Sequence, residues 1–280
     1  MPVLPAPYSY HNHSTWSDGT RPIAEMVAAA AAAGLVEFGM SDHYVLTPYR
    51  ASNASEWSMP LDRLHDYAAE VQAAQREDIQ VRLCLETDYF PETWRDLPGR
   101  LAGIPFDCLI GSVHYANEFP IDGNAVFWTP LSQEQVDEVH RLYWTRIREL
   151  AECGLFDLVG HLDLPKKFGF YPKADLARER EAALDAIAAA GMAIELNTAG
   201  WDKPCAECYP APDLLRAARR REIPVAISAD SHAPGTVTAH FRRAAELLRG
   251  LGFASTVRFR QRERFAVPLE LGREIANPGI

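Results

Sequence analysis

The stretch PVAISADSH, Pro224 to His232, decides how the chain folds. Val225, Ala226 and Ile227 follow one another with no polar partner alternating between them. A strand with one wet face alternates apolar and polar residues; this one predicts a strand covered on both faces, as in a parallel α/β sheet. Where the apolar run stops, Asp230 and His232 bring a carboxylate and an imidazole. The stretch DCLIGSV, Asp107 to Val113, has the same build and runs into His114.

Outward from these two runs, short β-rich segments alternate with helix-period segments. The pattern predicts strands over Tyr8–Ser14, Glu37–His43, Val81–Tyr89, Asp107–Tyr115, Leu158–Leu164, Ala193–Thr198 and Pro224–Ser231. Between and after them it predicts helices over Pro22–Ala33, Leu61–Glu77, Gln133–Cys153, Ala174–Ala190, Pro212–Glu222 and Phe241–Leu251, with a short one at Leu97–Ala102. A hairpin at Thr256–Arg260 and Arg264–Pro268 follows. Repeated βα units argue for a parallel sheet with helices outside it. Thr47–Pro60 and Glu118–Pro130 read as loops that could serve as lids.

The chain has 280 residues, 48% of them hydrophobic, enough for one sizeable core and one domain over 1–280. The net charge of −10 and the lack of a basic stripe make nucleic acid polymers and anionic membranes poor partners. Neither a signal peptide nor an apolar run of membrane-spanning length is present, and the five cysteines suit reduced thiols, so the expected location is the cytoplasm. The Asn53 sequon carries no weight without secretion, and the Cys205/Cys208 pair reads as incidental because no second pair completes a zinc ribbon. Composition says nothing about oligomeric state.

Each predicted strand ends in residues that bind metals: His11 and His13 with Asp18 just beyond, His43, Glu86, His114, His161, Glu195 with Asn197, and Asp230 with His232. In a parallel α/β barrel all these ends share one face, where active sites are built. Residues i and i+2 of a strand point the same way, so His11/His13, Glu86/Asp88 and Asp230/His232 can converge in pairs. Taken singly, each has a plainer explanation, such as a turn residue or a hydrogen-bonded core histidine. Taken together, His11, His13, Asp18, His43, Glu86, His114, His161, Asp230 and His232 are too many for one ion. They predict two or three divalent transition-metal ions, Zn, Mn or Fe, with Glu86 bridging.

The ligand order, carried by YHNHSTWSDG, GMSDH, CLETDY, FDCLIGSVHY, VGHLDL and ISADSHAP, resembles the PHP (polymerase and histidinol phosphatase) superfamily. LETDYFP, IGSVHY, ELNTAG and YPAPDLL resemble its histidinol-phosphatase branch. The resemblance implies a distorted (β/α)7 barrel and a trinuclear centre. His11, His13, Glu86 and Asp230 would hold the first ion, Glu86, His114 and His161 the second, and Asp18, His43 and His232 the third. It assigns the catalytic work to Glu86, Asp230 and His232, and implies hydrolysis of L-histidinol phosphate in histidine biosynthesis. Adjacent cations suit that chemistry, since they neutralise phosphate oxygens and lower the pKa of a bound water.

Lys166, Lys167, Asn197 and Lys203 are the candidate substrate contacts, with Trp201 and Tyr209 beside them. Lysine stands at 166 where the branch is expected to carry arginine, and it cannot reproduce a planar two-point clamp. That departure keeps open another small phosphate ester, such as a nucleotide or sugar phosphate. Asp88 and Asp163 are candidates either for donating a proton to the leaving group or for orienting ligand histidines. An amidohydrolase-type barrel would instead use a strand-end lysine as bridge, and none precedes the fifth strand. A silent scaffold would have lost ligands, and none is missing.

Overall fold

A computed structural model describes residues 7–49 and 54–269. Seven strands form one sheet: β1 (Tyr8–Ser9), β2 (Glu37–Met40), β3 (Gln80–Asp88), β4 (Cys108–Ser112), β7 (Leu158–Val159), β8 (Ala193–Asn197) and β9 (Val225–Ser228). All six pairings are parallel and follow that order. The sheet curls until its two edges meet at an Asn12–Ser231 bridge, where His13 N donates to Ser231 O at 2.8 Å. The result is a nearly closed barrel. Four shorter strands pair in two hairpins, β5 (Tyr115–Ala116) with β6 (Phe119–Pro120), and β10 (Ser255–Arg260) with β11 (Glu263–Pro268).

The apolar runs behave as their composition requires. Ile110, Ile194, Leu196, Ala226 and Ile227 are all fully buried, between the barrel interior and the helices outside. Burying one such side chain contributes roughly 1.5–3 kcal/mol relative to exposure. The outer helices are α1 (Ile23–Ala32), α2 (Leu64–Ala73), α3 (Leu97–Leu101), α4 (Ala125–Trp128), α5 (Gln133–Glu152), α6 (Ala177–Ala189), α7 (Pro212–Arg220) and α8 (Phe241–Gly250). In α5, Val136, Val139, His140, Tyr143, Ile147 and Leu150 recur at three- and four-residue spacing and form its buried stripe. Ser132 Oγ accepts from Gln135 N while Gln135 Oε1 accepts from Ser132 N, a reciprocal cap that fixes where α5 starts.

Two kinds of expectation need correction. The strands expected at Tyr8–Ser14, Leu158–Leu164 and Pro224–Ser231 stop early, because the chain leaves the ladder to build the site. Asp163 and Asp230 both take left-handed backbone, with φ of 79° and 50°. Glu118–Pro130 is no free lid: Trp128 is buried and its Nε1 donates to Ile121 O at 2.9 Å. The Thr47–Pro60 loop falls partly outside the described residues, as does Asn53. Its described part puts Trp57 edge-on to His43, with ring centroids 4.8 Å apart.

The β10–β11 hairpin closes the end where strands begin. Its turn donates from Gln261 N and Arg262 N to Asp107, just before β4, and Phe259 packs edge-on to Tyr10. Among the described residues, no helix is long and apolar enough to cross a membrane.

Candidate active site

All nine expected ligands converge at the opposite end. Glu86, in the middle of the barrel and fully buried, is the hub. Its Oε2 lies 2.8 Å from His43 Nδ1, 3.0 Å from His11 Nε2 and 3.5 Å from His13 Nε2. Its Oε1 lies 3.0 Å from His161 Nε2 and 3.6 Å from His114 Nε2. Asp230 Oδ1 faces His13 Nε2 at 3.2 Å and His11 Nε2 at 3.5 Å. Asp18 Oδ1 faces His232 at 3.2 Å, His43 at 3.7 Å and His13 at 3.9 Å.

Local backbone makes this crowding possible. A Cβ at Gly160 would stand 2.3 Å from Ser112 Oγ and 3.6 Å from Glu86 Oε1, so only glycine lets β7 pass the hub. A Cβ at Gly19 would come within 2.6 Å of the His13 and Ser14 backbone, so the Asp18 turn folds back only with glycine there. Strand alternation brings Glu86 inward on β3, but Asp230 and His232 meet by the left-handed turn at Asp230 instead.

The donor set suits cations. Among buried side-chain atoms without a hydrogen-bond partner are His11 Nε2, both ring nitrogens of His13, His43 Nδ1, Glu86 Oε2 and His161 Nδ1. Burying so many polar atoms unpaired is expensive, and a divalent ion removes that cost. His114 Nε2 and His161 Nε2 face each other at 3.0 Å, as two lone pairs do around a shared cation. Candidate ligand atoms fall within 4.8 Å of one another in four overlapping groups: His13/Asp18/His43/His232, His11/His13/Asp230, His11/Glu86/His161 and His43/Glu86/His114. This cluster of His, Asp and Glu side chains could bind metals.

The charges agree. Burial alone would raise the carboxyl of Glu86, but His11 and His43 outweigh it and hold it well below the usual range. Asp230 is held down in the same way by His11 and His13. Burial pushes His13 down to about 3, with His232 and His43 adding to it. Burial would lower His114 too, yet Asp88 and Asp122 raise it to about 10. A cluster of ionised carboxylates demands positive charge, which protons or metal ions can supply in competition.

Around the ligands lies a supporting layer that the sequence revealed only partly. Asp88 Oδ1 holds His114 Nδ1 at 2.5 Å, as one reading of Asp88 expected. Glu195, which the sequence shows only as a strand-end carboxylate, braces His11 and the backbone at His161. Its Oε1 and Oε2 grip His11 Nδ1 at 3.0 and 3.1 Å, and Oε1 accepts from His161 N. The signal was a carboxylate inside the apolar run AIELN, the same signal that singled out Glu86. Asp42 belongs to the same layer. It accepts from the backbone N–H and hydroxyl of both Ser14 and Ser17, which shapes the His13–Asp18 loop.

A cavity of about 460 Å³ opens over the cluster. Asp18, His43, His114, His161, Asp230 and His232 form its floor; Asp122, Lys167, Asp202, Lys203 and Tyr209 stand around it. The substrate candidates therefore divide. Lys167 and Lys203 reach the cavity, whereas Lys166 does not. Lys166 Nζ is buried against Asp163 Oδ2 at 2.8 Å, Glu207 Oε2 at 2.7 Å and Cys208 O at 2.8 Å. Asp163 is thereby taken up by Lys166 and orients no histidine. Asn197 Nδ2 donates to Glu195 Oε1 and Asp230 Oδ2, so it steadies the cluster. Trp201 packs under the Arg243 guanidinium and lines a separate surface hollow.

Comparison with known proteins agrees with this geometry. The PHP domain family matches residues 9–199. The probable histidinol-phosphatase of Deinococcus radiodurans is 40% identical over 242 residues, spanning 85% of this chain and 90% of that protein. The histidinol-phosphatase of Lactococcus lactis subsp. lactis is 23% identical over 259 residues, 89% of this chain and 93% of that one. A solved histidinol phosphate phosphatase from Lactococcus lactis, complexed with zinc, L-histidinol and phosphate, superposes with a TM-score of 0.77 at 23% identity. It covers 92% of this chain and 98% of its own. A putative histidinol phosphatase from Listeria monocytogenes superposes at 0.76, with 21% identity, covering 84% and 99%. These two share the barrel fold.

Proposed function

The chain belongs to the PHP domain family, and from that premise we propose that it is a metal-dependent phosphomonoesterase acting on L-histidinol phosphate. The products are L-histidinol and phosphate: water adds to phosphorus, the ester P–O bond breaks, and the leaving alkoxide takes a proton. The convergence of five imidazoles on Glu86 beneath an open cavity carries this reading. The named relatives supply the ester.

The residues fit two or three divalent ions drawn from zinc, manganese and iron. His11, His13, Glu86 and Asp230 would hold the first, Glu86, His114 and His161 the second, and Asp18, His43 and His232 the third. When bound, such ions supply Lewis-acid charge for the phosphate oxygens and a water that ionises near neutral pH. The chain's own groups do the rest. Glu86, Asp230 and His232 fix the reacting end, Glu195 and Asp88 hold His11 and His114 in one ring orientation, and Lys167 and Lys203 face the incoming anion. We read 1–280 as one domain, since β9 completes the sheet beyond residue 199. Free thiols at all five cysteines support a cytoplasmic enzyme, and the cavity over the cluster suits a small-molecule partner.

The test is phosphate release by zinc- or manganese-loaded protein from a panel containing L-histidinol phosphate, nucleotides and sugar phosphates. L-Histidinol phosphate should lead in kcat/KM by at least about tenfold, a margin of roughly 1.4 kcal/mol. A nucleotide or sugar phosphate at the head of the ranking overturns the substrate.

A further inference from the structure

Two carboxylates border the cavity without belonging to the ligand cluster, Asp122 and Asp202. Asp202 is spoken for: both its oxygens meet His240 Nε2, at 3.0 and 2.9 Å, on the exposed rim. Asp122 is different. It sits in the turn between β6 and α4, with its side chain 32% exposed. Lys167 Nζ donates to the Asp122 backbone carbonyl at 2.9 Å and lies 3.5 Å from its Oδ2.

Burial alone would raise the Asp122 carboxyl. Lys167 counters that first, then His114, His161 and His43, and the balance leaves it below the usual range. Asp122 is therefore an anion within the field of the imidazoles that surround Glu86. An anion beside a phosphate site is a liability, because it repels a phosphate dianion. It becomes an asset when the substrate brings its own cation next to the phosphate.

The Asp122–Lys167 couple sets a negative and a positive group side by side. A 2-aminoalkyl phosphate presents the complementary couple, an ammonium one carbon away from the ester-bearing carbon. L-Histidinol phosphate is one such ester. We propose that Asp122 is a specificity-determining residue that accepts the substrate ammonium, while the adjacent Lys167 faces the phosphate. The proposal rests on the phosphatase reading and narrows its substrate class to zwitterionic amino-alcohol phosphates.

The experiment compares L-histidinol phosphate with its deamino analogue, 3-(imidazol-4-yl)propyl phosphate, on metal-replete full-length enzyme. The wild type should prefer the amine-bearing ester by roughly 10–100-fold in kcat/KM, the range expected of one charge-assisted contact. In Asp122→Asn that ratio should fall to near one. In Lys167→Met both esters should suffer alike and the ratio should stay. A ratio kept in Asp122→Asn, or a wild type indifferent to the amine, overturns the proposal. A second measurement needs neither a folded variant nor turnover of histidinol phosphate. O-Phosphoethanolamine should inhibit wild-type hydrolysis of p-nitrophenyl phosphate at least about tenfold better than ethyl phosphate. Equal inhibition also overturns the role of Asp122, whereas inactivity on histidinol phosphate with selective inhibition removes only the histidinol assignment.

Discussion

The two ends of the barrel each bury a glutamate, and they handle it in opposite ways. At the end where strands begin, Glu37 meets cations the chain itself provides. Arg82 Nε lies 3.0 Å from its Oε1, Arg258 stands 3.7 Å from its Oε2, and the Tyr10 hydroxyl donates to it. At the end where strands finish, Glu86 is ringed by five imidazoles, and its Oε2 has no hydrogen-bond partner. The first carboxylate is balanced by guanidinium groups, which cannot lose their protons in a protein. The second is balanced by imidazoles, which can give up protons to a metal. A buried acid paired with arginine is part of the scaffold; one surrounded by histidine is open to chemistry.

Glu86→Gln should break the upper end most severely. It should lose bound metal and at least about a thousandfold in kcat together, about 4 kcal/mol of barrier. Metal analysis alongside phosphate release checks this, and retention of both would refute the role of Glu86 as hub. Glu37→Gln should do the reverse. It leaves the largely covered Arg82 without its counter-charge, a loss of roughly 1–3 kcal/mol of stability. Denaturant titration should show that loss, with kcat per folded molecule within about twofold of wild type. Removing the metals with a chelator should lower the melting temperature and abolish turnover, and adding zinc or manganese back should restore both. At a metal concentration a thousand times Kd, the stabilisation lost is about 4 kcal/mol.

A smaller effect separates direct ligands from their supports. Glu195→Gln should weaken metal binding about 10–100-fold, not eliminate it, because Glu195 only aims His11 and braces the backbone at His161. Competition with a chromophoric chelator measures that shift. The smallest effect lies away from both ends. His140 is buried in α5, its Nε2 donates to Phe170 O at 2.9 Å, and burial pushes its pKa down to about 4 from 6.5. The unfolded chain then binds this proton first as pH falls, so folding stability declines between pH 6.5 and about 4. By pH 5.5 the loss should be about 1 kcal/mol. His140→Gln should flatten that part of the stability profile, and an unchanged slope would mean that His140 titrates normally.

Much of this was legible in the chain because burial on both faces leaves a strand little choice. AISAD and CLIGS could hardly be anything but inner strands, and Asp230, His232 and His114 stand at their ends. What stayed hidden depends on where chains turn. Strand alternation accounts for Glu86, but a left-handed residue at 230 brings Asp230 to the cluster, and nothing in ADSH distinguishes that from a continuing strand. Lys166 and Lys167 are identical neighbours in sequence, yet one is buried against two carboxylates and the other reaches the cavity. A short 3₁₀ turn at Leu164–Phe168 sends them different ways, and local composition does not encode its direction. Glu195 stands in its apolar strand much as Glu86 does in its own, and its supporting role follows only from the packing of His11 against it, which the sequence does not show.

The bridge between Asn12 and Ser231 joins stretches from opposite halves of the polypeptide. A growing chain still on the ribosome can present His11 and His13 long before Asp230 and His232 exist. Until synthesis reaches the last barrel strand, the sets that need Asp230 or His232 stay open, while Glu86, His114 and His161 are already present. Completion of the first and third sets is thereby tied to late synthesis, and a chain cut before residue 230 lacks a member of each.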